Sequence, residues 1–294
     1  RIKTQVHLHI IYRRYEMQLT PMFAYQGGKT KLAKKIYDTI TTNHGKDITF
    51  VDVCCGGGSI SIEFINNGLH PENIHMFDAG AIGAFWQQVS EGTFDLEYFE
   101  YLISQIPKDL SKIKNFMEDL SNIEYSYVGE VTQEYLLLQA SSFGGKQIYD
   151  QGNKFGNTSF RSYWLPTETS SRRSPVNPMM PMPSTLLKRV IDVVNEMQCI
   201  KATHLLAENI DFSKIKTDKD LVVYIDPPYK GTTGYKDTID LQLVIGNAVK
   251  CGATVYVSEY YNLSDDFVIL SETSKGGISG TRKGDMVEYL SVIK

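Results

Sequence analysis

Two kinds of hydrophobic pattern alternate along most of the chain. Short runs of apolar, largely β-branched residues predict buried strands, and longer segments with apolar residues every three or four positions predict helices. The predicted strands lie at residues 47–53, 73–78, 201–207, 221–225, 254–259, 267–270 and 286–293. Because helical patterns separate most of these runs, we predict an α/β fold with a mostly parallel sheet.

A long block interrupts this alternation after residue 80. From Ala81 to about Ser142 the apolar spacing is helical, and a segment rich in Gly, Asn, Ser, Pro and aromatic residues follows as far as Pro183. Strand and helix patterns return with a predicted helix from Ser184 to Gln198 and a strand at Lys201. We therefore predict a catalytic domain of residues 17–80 and 200–294, an inserted subdomain of residues 81–199, and an N-terminal extension of residues 1–16 without an assigned role.

The composition is that of an ordinary globular protein: 294 residues, a net charge of −4 and four cysteines. The four cysteines include the adjacent pair Cys54 and Cys55, which does not resemble a disulfide framework or a zinc site. No run reaches the ~18–20 apolar residues of a membrane span. These features predict a cytoplasmic protein with no membrane partner and no metal.

Positive charge is concentrated in the predicted insertion. Residues 146–189 contain seven Lys or Arg residues against two acidic ones, and aromatic residues lie among them. This combination is typical of a surface that binds nucleic-acid phosphates and bases. The predicted DNA contacts from this segment are Lys146, Arg161, Arg172 and Arg173.

The tetrapeptide Asp226-Pro227-Pro228-Tyr229 follows the apolar run 221–225 directly. Two prolines cannot continue a central strand, so Asp226 and Tyr229 should lie just outside the carboxyl edge of the sheet, where open α/β sheets bind ligands. A carboxylate and a carbonyl can accept hydrogen bonds from an amino group while an aromatic ring stacks on the base that carries it. We therefore interpret Asp226, Pro227, Pro228 and Tyr229 as the catalytic group.

A second tract, Phe23 to Lys29, contains Gly27 and Gly28 just before a helical pattern. Glycines at the start of a helix allow backbone N–H groups to approach a ligand, and the helix N-terminus favours an anion. Lys29 would add a positive charge there. The spacing differs from that of a Walker P-loop.

A third tract has a strand that ends near Asp52 and the glycines Gly56, Gly57 and Gly58. This is the strand–loop–helix pattern of a nucleotide-binding sheet. An acid before the glycines repels phosphate but suits the cationic amino group of a methionine moiety. The tract therefore points to S-adenosylmethionine rather than a dinucleotide.

Acids after two other predicted strands complete the donor site. Asp78 follows the glycine loop by about 20 residues, where a carboxylate can bind ribose hydroxyls. Asp211 and Phe212 follow the strand at Lys201, and we predict that they bind the adenine of the donor.

Together, the Phe23–Lys29 tract, the Val51–Ser59 tract and Asp226–Tyr229, in this order, resemble the Dam-like (D12, α-class) N6-adenine DNA methyltransferases, which include phage enzymes. The resemblance runs from about Met17 onward. It implies a Rossmann-like, seven-stranded S-adenosylmethionine-dependent methyltransferase sheet with an antiparallel last strand and an inserted helical and hairpin DNA-recognition subdomain.

The resemblance also implies roles for single residues. Tyr25, Lys29, Asp78 and Asp226 would contact the methyl donor or border its pocket, and Asn157 would belong to the DNA-recognition hairpin. At that hairpin the family has Asn-Gly and a following Arg, whereas this chain has Gly144-Gly145 and Gln147, which argues against a GATC target.

The expected reaction is methyl transfer from S-adenosylmethionine to the amino group of an adenine that is flipped out of double-stranded DNA. It needs no metal and no covalent enzyme intermediate, and a cognate restriction enzyme is a possible partner. The alternatives are N4-cytosine methylation, an RNA or protein-glutamine acceptor, and a DNA-binding relic of the fold that has lost turnover.

Overall fold

The computed structural model describes residues 18–160, 181–229, 239–274 and 285–294. In chain order the strands are β1 (Ile48–Val53), β2 (Ile74–Asp78), β3 (Tyr149–Asp150), β4 (Phe155–Gly156), β5 (Lys201–His204), β6 (Asp220–Ile225), β7 (Thr254–Glu259), β8 (Phe267–Ser274) and β9 (Asp285–Ile293). The helices are α1 (Ala33–His44), α2 (Ser59–Asn66), α3 (Ala81–Glu91), α4 (Leu96–Gln105), α5 (Ile113–Leu120), α6 (Thr132–Ser141), α7 (Pro183–Glu196) and α8 (Leu241–Lys250). Among these described helices, none is long and apolar enough to cross a membrane.

Seven strands form one sheet in the order β5-β2-β1-β6-β7-β9-β8. The neighbours from β5 to β7 pair in parallel, whereas β9 runs antiparallel to both β7 and β8. The mixed α/β fold and the antiparallel last strand are therefore confirmed. From β1 the chain proceeds outward to β2 and β5, and then returns to place β6 on the other side of β1. The switch point between β1 and β6 is where open sheets bind their ligands.

Alternate residues of the central strands pack into cores on opposite faces. Phe50, Val222 and Tyr224 belong to the larger core, which includes α1, α2 and the helices of the insertion. Val51 and Val223 belong to a smaller core with α8 and the chain around residues 207–215. Because both faces of these parallel strands are covered, they are continuously apolar rather than alternating.

Helix α6 lies at the centre of the predicted insertion. All ten of its residues are buried, so it has no solvent-facing stripe. Its Gln139 side chain accepts a hydrogen bond from the Ile148 backbone N–H (2.8 Å) and donates one to the Lys146 carbonyl (3.1 Å). These bonds tie the helical part of the insertion to the hairpin of β3 and β4.

Helix α3 packs against the sheet. The Gln87 side chain accepts a hydrogen bond from the His204 N–H of β5 (3.0 Å), and Ser90 donates one to the Ala202 carbonyl (3.3 Å). The division into catalytic domain and insertion at residue 81 stays a prediction. We propose that the inserted subdomain begins after α3.

Two predicted boundaries are corrected by local geometry. Helix α7 begins at Pro183, one residue before the predicted start at Ser184, with Met182 as its N-cap and no side-chain cap. Proline at the first position needs no N–H partner, which explains the earlier start. Strand β5 ends at His204, and residues Ala207–Asn209 form a 3-10 turn instead of continuing it.

Candidate active site

The carboxyl ends of β1, β2 and β6 open into a cavity of about 780 Å³. Asp52, Asp78 and Asp226 line it, one from the end of each of these three neighbouring strands. Parallel strands bring such residues together because all of them end at the same edge of the sheet. The structure therefore brings together three carboxylates that are far apart in sequence.

Asp226 is fixed on one side of its carboxylate. Its backbone N–H donates to the Val53 carbonyl (3.2 Å), which extends the β1–β6 pairing by one bond before the two prolines end the strand. Its Oδ1 atom accepts from the Ser258 hydroxyl (2.9 Å) and lies 2.8 Å from Lys29 Nζ. Within the described part of the chain, Oδ2 has no partner. Burial raises the pKa of Asp226, and the Lys29 ammonium opposes that rise.

Ser258 is itself held by a tyrosine from the neighbouring strand. Tyr224, two residues before Asp226 on β6, has its hydroxyl 3.0 Å from Ser258 Oγ, and both side chains are fully buried. If Ser258 donates to Asp226, the Tyr224 hydroxyl is left to donate to Ser258. This chain of hydrogen bonds restricts the rotation of the Asp226 carboxylate.

Lys29 lies inside the site rather than at the start of a helix. Its side chain is 7% exposed, and its Nζ atom contacts the Gly27 carbonyl (3.0 Å) and Glu288 Oε1 (3.4 Å) besides Asp226. The helix α1 begins only at Ala33. The expectation that Lys29 offers its charge to an anion at the helix start is thus corrected, because two carboxylates of the protein take that charge.

Tyr229 closes one wall of the cavity. Its hydroxyl donates to Glu288 Oε1 (2.5 Å), the Lys29 ammonium lies 4.6 Å from its ring centroid, and the Tyr260 ring meets it edge-on at 4.5 Å. Burial, followed by the negative charge of Asp226, raises the pKa of the Tyr229 hydroxyl well above its ordinary value. Tyr229 therefore stays a neutral hydrogen-bond donor.

The glycine loop is held by Asp78. The carboxylate accepts from the N–H of Gly56 (2.8 Å) and from the N–H of Gly80 (2.8 Å), one bond to each oxygen. Gly56 has φ +49°, and a Cβ there would lie 2.9 Å from the Tyr25 ring. The loop thus needs glycine to let Tyr25 lie against it.

Tyr25 lines the cavity and begins the turn of the second tract. The N–H of Gly28 donates to the Tyr25 carbonyl (2.9 Å), and a Cβ on Gly28 would be only 2.9 Å from that oxygen. Burial, with smaller contributions from the nearby Tyr135 and Asp78, raises the pKa of the Tyr25 hydroxyl well above its ordinary value. Gly27 and Gly28 also line the cavity.

Asp52 is the most deeply buried acid of the site, with 1% of its surface exposed. The Ser61 hydroxyl donates to its Oδ2 (2.6 Å). Burial and, to a smaller extent, the charge of Asp226 raise the pKa of Asp52, the Ser61 hydrogen bond lowers it, and the net pKa is about 7. A cation bound beside Asp52 would stabilise its charged form.

Asp211 and Phe212 are not among the residues that line the cavity, so their predicted contact with the donor adenine stays a prediction. The exposed Asp211 caps a 3-10 turn by accepting from the Ser213 N–H (3.2 Å) and hydroxyl (2.6 Å). Phe212 is buried in the smaller core. The cavity at this level is instead lined by Leu206, Ala207 and Glu208, because β5 ends early and turns the chain.

Gly58 does not line the cavity either. It precedes α2 with φ +71°, and a Cβ there would lie 2.6 Å from Cζ2 of Trp86. Trp86 in turn donates its ring N–H to the Gly56 carbonyl (2.8 Å). The glycine is therefore required by conformation and packing.

Two of the predicted DNA-binding residues lie in the described hairpin region. Lys146 is exposed, with its ammonium 6.0 Å from the Phe143 ring centroid. Asn157 has φ +59° and donates from its side chain to the Gln147 carbonyl (2.6 Å), so in this structure it supports the hairpin. Arg161, Arg172 and Arg173 lie outside the described residues.

Sequence reasoning missed Glu288, Ser258, Ser61 and Gln147. Glu288 and Ser258 lie on β9 and β7, whose sequences signal only strands, and their positions become visible only through the sheet order. Ser61 follows the glycine loop by three residues, a spacing that could have suggested a helix residue facing back toward Asp52. Gln147 lines the cavity from the insertion, and no sequence motif identified it as a residue of the site.

The charge of the cavity favours a cation over a phosphate. Among the described residues that line it, five are acidic and two are lysines, and one of those lysines is already paired. The acidic residues are Asp52, Asp78, Glu208, Asp226 and Glu288. This arrangement does not suit the pyrophosphate of a dinucleotide.

Comparison with known proteins agrees with this geometry. The family model for D12 class N6 adenine-specific DNA methyltransferases matches residues 25–128, which include Tyr25, the glycine loop and Asp78. No curated protein matches the chain. The matched segment and the seven-stranded, mostly parallel sheet confirm the predicted Dam-like family, and with it an enzyme that methylates adenine N6 in DNA. Over residues 25–128 the chain is therefore similar to the D12 class N6 adenine-specific DNA methyltransferases.

Proposed function

We propose that the protein transfers a methyl group from S-adenosylmethionine to N6 of an adenine flipped out of duplex DNA, with Asp226 and Pro227 as the groups that accept the N6 hydrogens. The observation that carries this proposal is the different environment of the two oxygens of the Asp226 carboxylate. One of its oxygens is held by Lys29 and Ser258, while the other has no partner among the described residues and belongs to a side chain that lines the cavity.

The residues present fit the methyl donor. S-adenosylmethionine supplies an electrophilic methyl group on a sulfonium centre. Asp52 would bind its amino group, and Asp78, which already orders the glycine loop, would bind its ribose hydroxyls. Leu206 and Ala207 would contact its adenine in place of Asp211 and Phe212, because they line the same cavity.

Acceptance of both N6 hydrogens is the chemical role of Asp226 and Pro227. The lone pair of an adenine amino group is delocalised into the ring, so the group is a weak nucleophile. Hydrogen bonds from N6 to Asp226 Oδ2 and to the Pro227 carbonyl would draw the nitrogen toward a tetrahedral geometry and free its lone pair. Fixed orientation of the two reactants would supply much of the remaining acceleration.

After transfer, N6 keeps its two hydrogens and carries a positive charge, so one of these protons must leave. Asp226 is suited to accept it, because burial raises the pKa of this carboxyl group above its ordinary value. The Tyr229 ring, at the cavity wall, would stack on the flipped adenine and replace part of the stacking that the base loses in leaving the duplex.

The DNA contacts belong to the hairpin and the basic segment that follows it. Lys146 is exposed beside the cavity-lining Gln147, which supports a DNA path along this side of the protein. We propose that Lys146, Arg161, Arg172 and Arg173 contact phosphates or bases, with Asn157 supporting the hairpin. A cytoplasmic location and a cognate restriction enzyme are also part of this proposal.

Nucleoside analysis of methylated DNA tests the proposal. The protein, S-adenosylmethionine and unmethylated duplex DNA of mixed sequence should yield N6-methyladenine at a restricted set of sites. N4-methylcytosine as the product, or methylation of RNA or protein but not of DNA, would overturn it. The adenine-specific family favours the first result over the N4-cytosine alternative.

A further inference from the structure

Glu288 contacts both Lys29 and Tyr229. It lies on β9, outside the segment that matches the family model, and its side chain is 12% exposed. Its Oε1 atom accepts from the Tyr229 hydroxyl (2.5 Å) and lies 3.4 Å from Lys29 Nζ. Ser271 of β8 approaches Oε2 at 3.4 Å. One carboxylate thus contacts both the lysine that holds Asp226 and the proposed stacking ring.

Lys29 is shared between two carboxylates, and the sharing fixes its position. The ammonium lies 2.8 Å from Asp226 Oδ1 and 3.4 Å from Glu288 Oε1. Burial lowers the pKa of Lys29, but the charges of Asp226 and Glu288 outweigh this and raise it overall. Without Glu288, the lysine would keep Asp226 and the Gly27 carbonyl as partners and lose the second carboxylate that directs it to Oδ1.

We propose that Glu288 is a positioning residue for methyl transfer: it holds the Lys29 ammonium on Asp226 Oδ1 and the Tyr229 ring at the cavity wall, so that Asp226 Oδ2 stays available for the substrate amine. This inference rests on the proposed function of Asp226. Glu288 touches neither substrate nor donor in this role, and it acts through Lys29 and Tyr229.

The titratable groups that surround Glu288 come from several elements. Lys29 precedes α1, Asp226 and Tyr229 follow β6, and Tyr260 follows β7. Asp52, at the end of β1, interacts with Asp226 and titrates near neutral pH. If the enzyme is saturated with donor before the reaction is started, the measured rate no longer includes donor binding. Most of the effect of Asp52 on the pH dependence of the rate is then removed.

The charge of Glu288 has a definite effect on two pKa values. It raises the pKa of Asp226 by repulsion and raises that of Lys29 by attraction. Removal of that charge should therefore move the acid limb and the alkaline limb of the pH–rate profile to lower pH together. A residue that only supported the fold would change the rate without moving the limbs.

The test is single-turnover methyl transfer to unmethylated duplex DNA, at saturating donor and across pH, by the wild type and three variants. Glu288→Gln removes the charge, and Glu288→Asp keeps it. The matched control is Glu272→Gln, which removes the charge of an exposed glutamate on the adjacent strand β8.

We expect Glu288→Gln to lower the rate ~10–100-fold and to move both limbs to lower pH, with donor affinity within about twofold of wild type. Glu288→Asp should keep the limbs near their wild-type positions, and Glu272→Gln should match the wild type. A Glu288→Gln rate within twofold of Glu272→Gln, or a lower rate with unmoved limbs, would overturn this inference alone. Absence of transfer by the wild type would overturn the proposed function and this inference together.

Discussion

The Nζ atom of Lys29 lies 2.8 Å from Oδ1 of Asp226, inside a cavity where both side chains are largely buried. The two residues are almost two hundred positions apart and come from different motifs of the chain. Their pairing stabilises the charged form of a buried carboxylate and directs it. The same contact uses the charge of Lys29, which its place after two glycines suggests would be offered to an anion.

Replacement of Lys29 by methionine should therefore raise the pKa of Asp226, because the ammonium is the largest influence that lowers it. The acid limb of the pH–rate profile should move to higher pH, opposite to the shift expected for Glu288→Gln. Loss of one partner of a buried ion pair should also lower the free energy of unfolding by about 3–5 kcal/mol. Rate profiles and denaturant unfolding of the same preparation measure both effects, and an unmoved acid limb in a folded variant would contradict the pairing.

Donor binding should depend on pH through Asp52. The pKa of this carboxyl group is raised to about 7 by burial, so below pH 7 it is largely neutral and must lose a proton to bind a cationic amino group. Affinity for S-adenosylmethionine should therefore rise with pH and level off above about 8, with proton release on binding below pH 7. Calorimetry in buffers of different ionisation enthalpy measures this release.

The hydrogen bond from Ser61 provides a control for the Asp52 prediction. Because this bond lowers the pKa of Asp52, Ser61→Ala should move the midpoint of donor binding to higher pH. Asp52→Asn should weaken donor binding and remove the proton release. Unchanged proton release in Asp52→Asn would assign the effect to another group.

Gly58→Ala should be markedly more destabilising than Gly92→Ala. Both glycines have φ near +70°, so both substitutions cost roughly 1 kcal/mol of backbone strain. At Gly58 the new Cβ also meets Trp86 at 2.6 Å, whereas at Gly92 nothing lies within 4 Å. Overpacking should add about 1–3 kcal/mol at Gly58 alone, measured by urea unfolding. Equal losses for the two variants would contradict the packing role of Trp86.

Asp78→Ala and Asp211→Ala compare a residue of the proposed donor site with a residue that caps a 3-10 turn. Asp78 orders the glycine loop through two backbone N–H groups, so its loss should weaken donor binding by about tenfold or more. Asp211 is exposed and bonded to Ser213, so Asp211→Ala should leave donor affinity within about twofold of wild type. Equilibrium dialysis with labelled donor distinguishes them, and a large loss in Asp211→Ala would restore the original prediction for that residue.

The strands were predictable because parallel, doubly covered strands are apolar throughout. The runs at 221–225 and 254–259 correspond to β6 and β7 almost residue for residue. The ends of elements were less predictable: β5 ends at His204, and Asp211 and Phe212 are not among the residues that line the cavity. Local sequence does not encode which of several acids after a strand faces the ligand.

Sequence reasoning identified the cavity-lining residues that belong to local motifs. It did not identify those that reach the cavity only through the order of the strands in the sheet. Tyr25, Asp52, Asp78 and Asp226 each follow a recognisable pattern. Glu288 reaches the site only because β9 inserts antiparallel between β7 and β8, a pairing that no local signal near residue 288 reveals.

The most direct test of the account is methyl transfer by Asp226→Asn compared with Asp211→Asn, with labelled S-adenosylmethionine and unmethylated duplex DNA. Each variant removes one carboxylate charge and keeps the side-chain shape. Asp226→Asn should lower the formation of N6-methyladenine by at least ~100-fold while it still binds the donor, and Asp211→Asn should stay near the wild-type rate. Full activity in Asp226→Asn, or equal losses in the two variants, would contradict the assignment of Asp226 as the acceptor of the substrate amine.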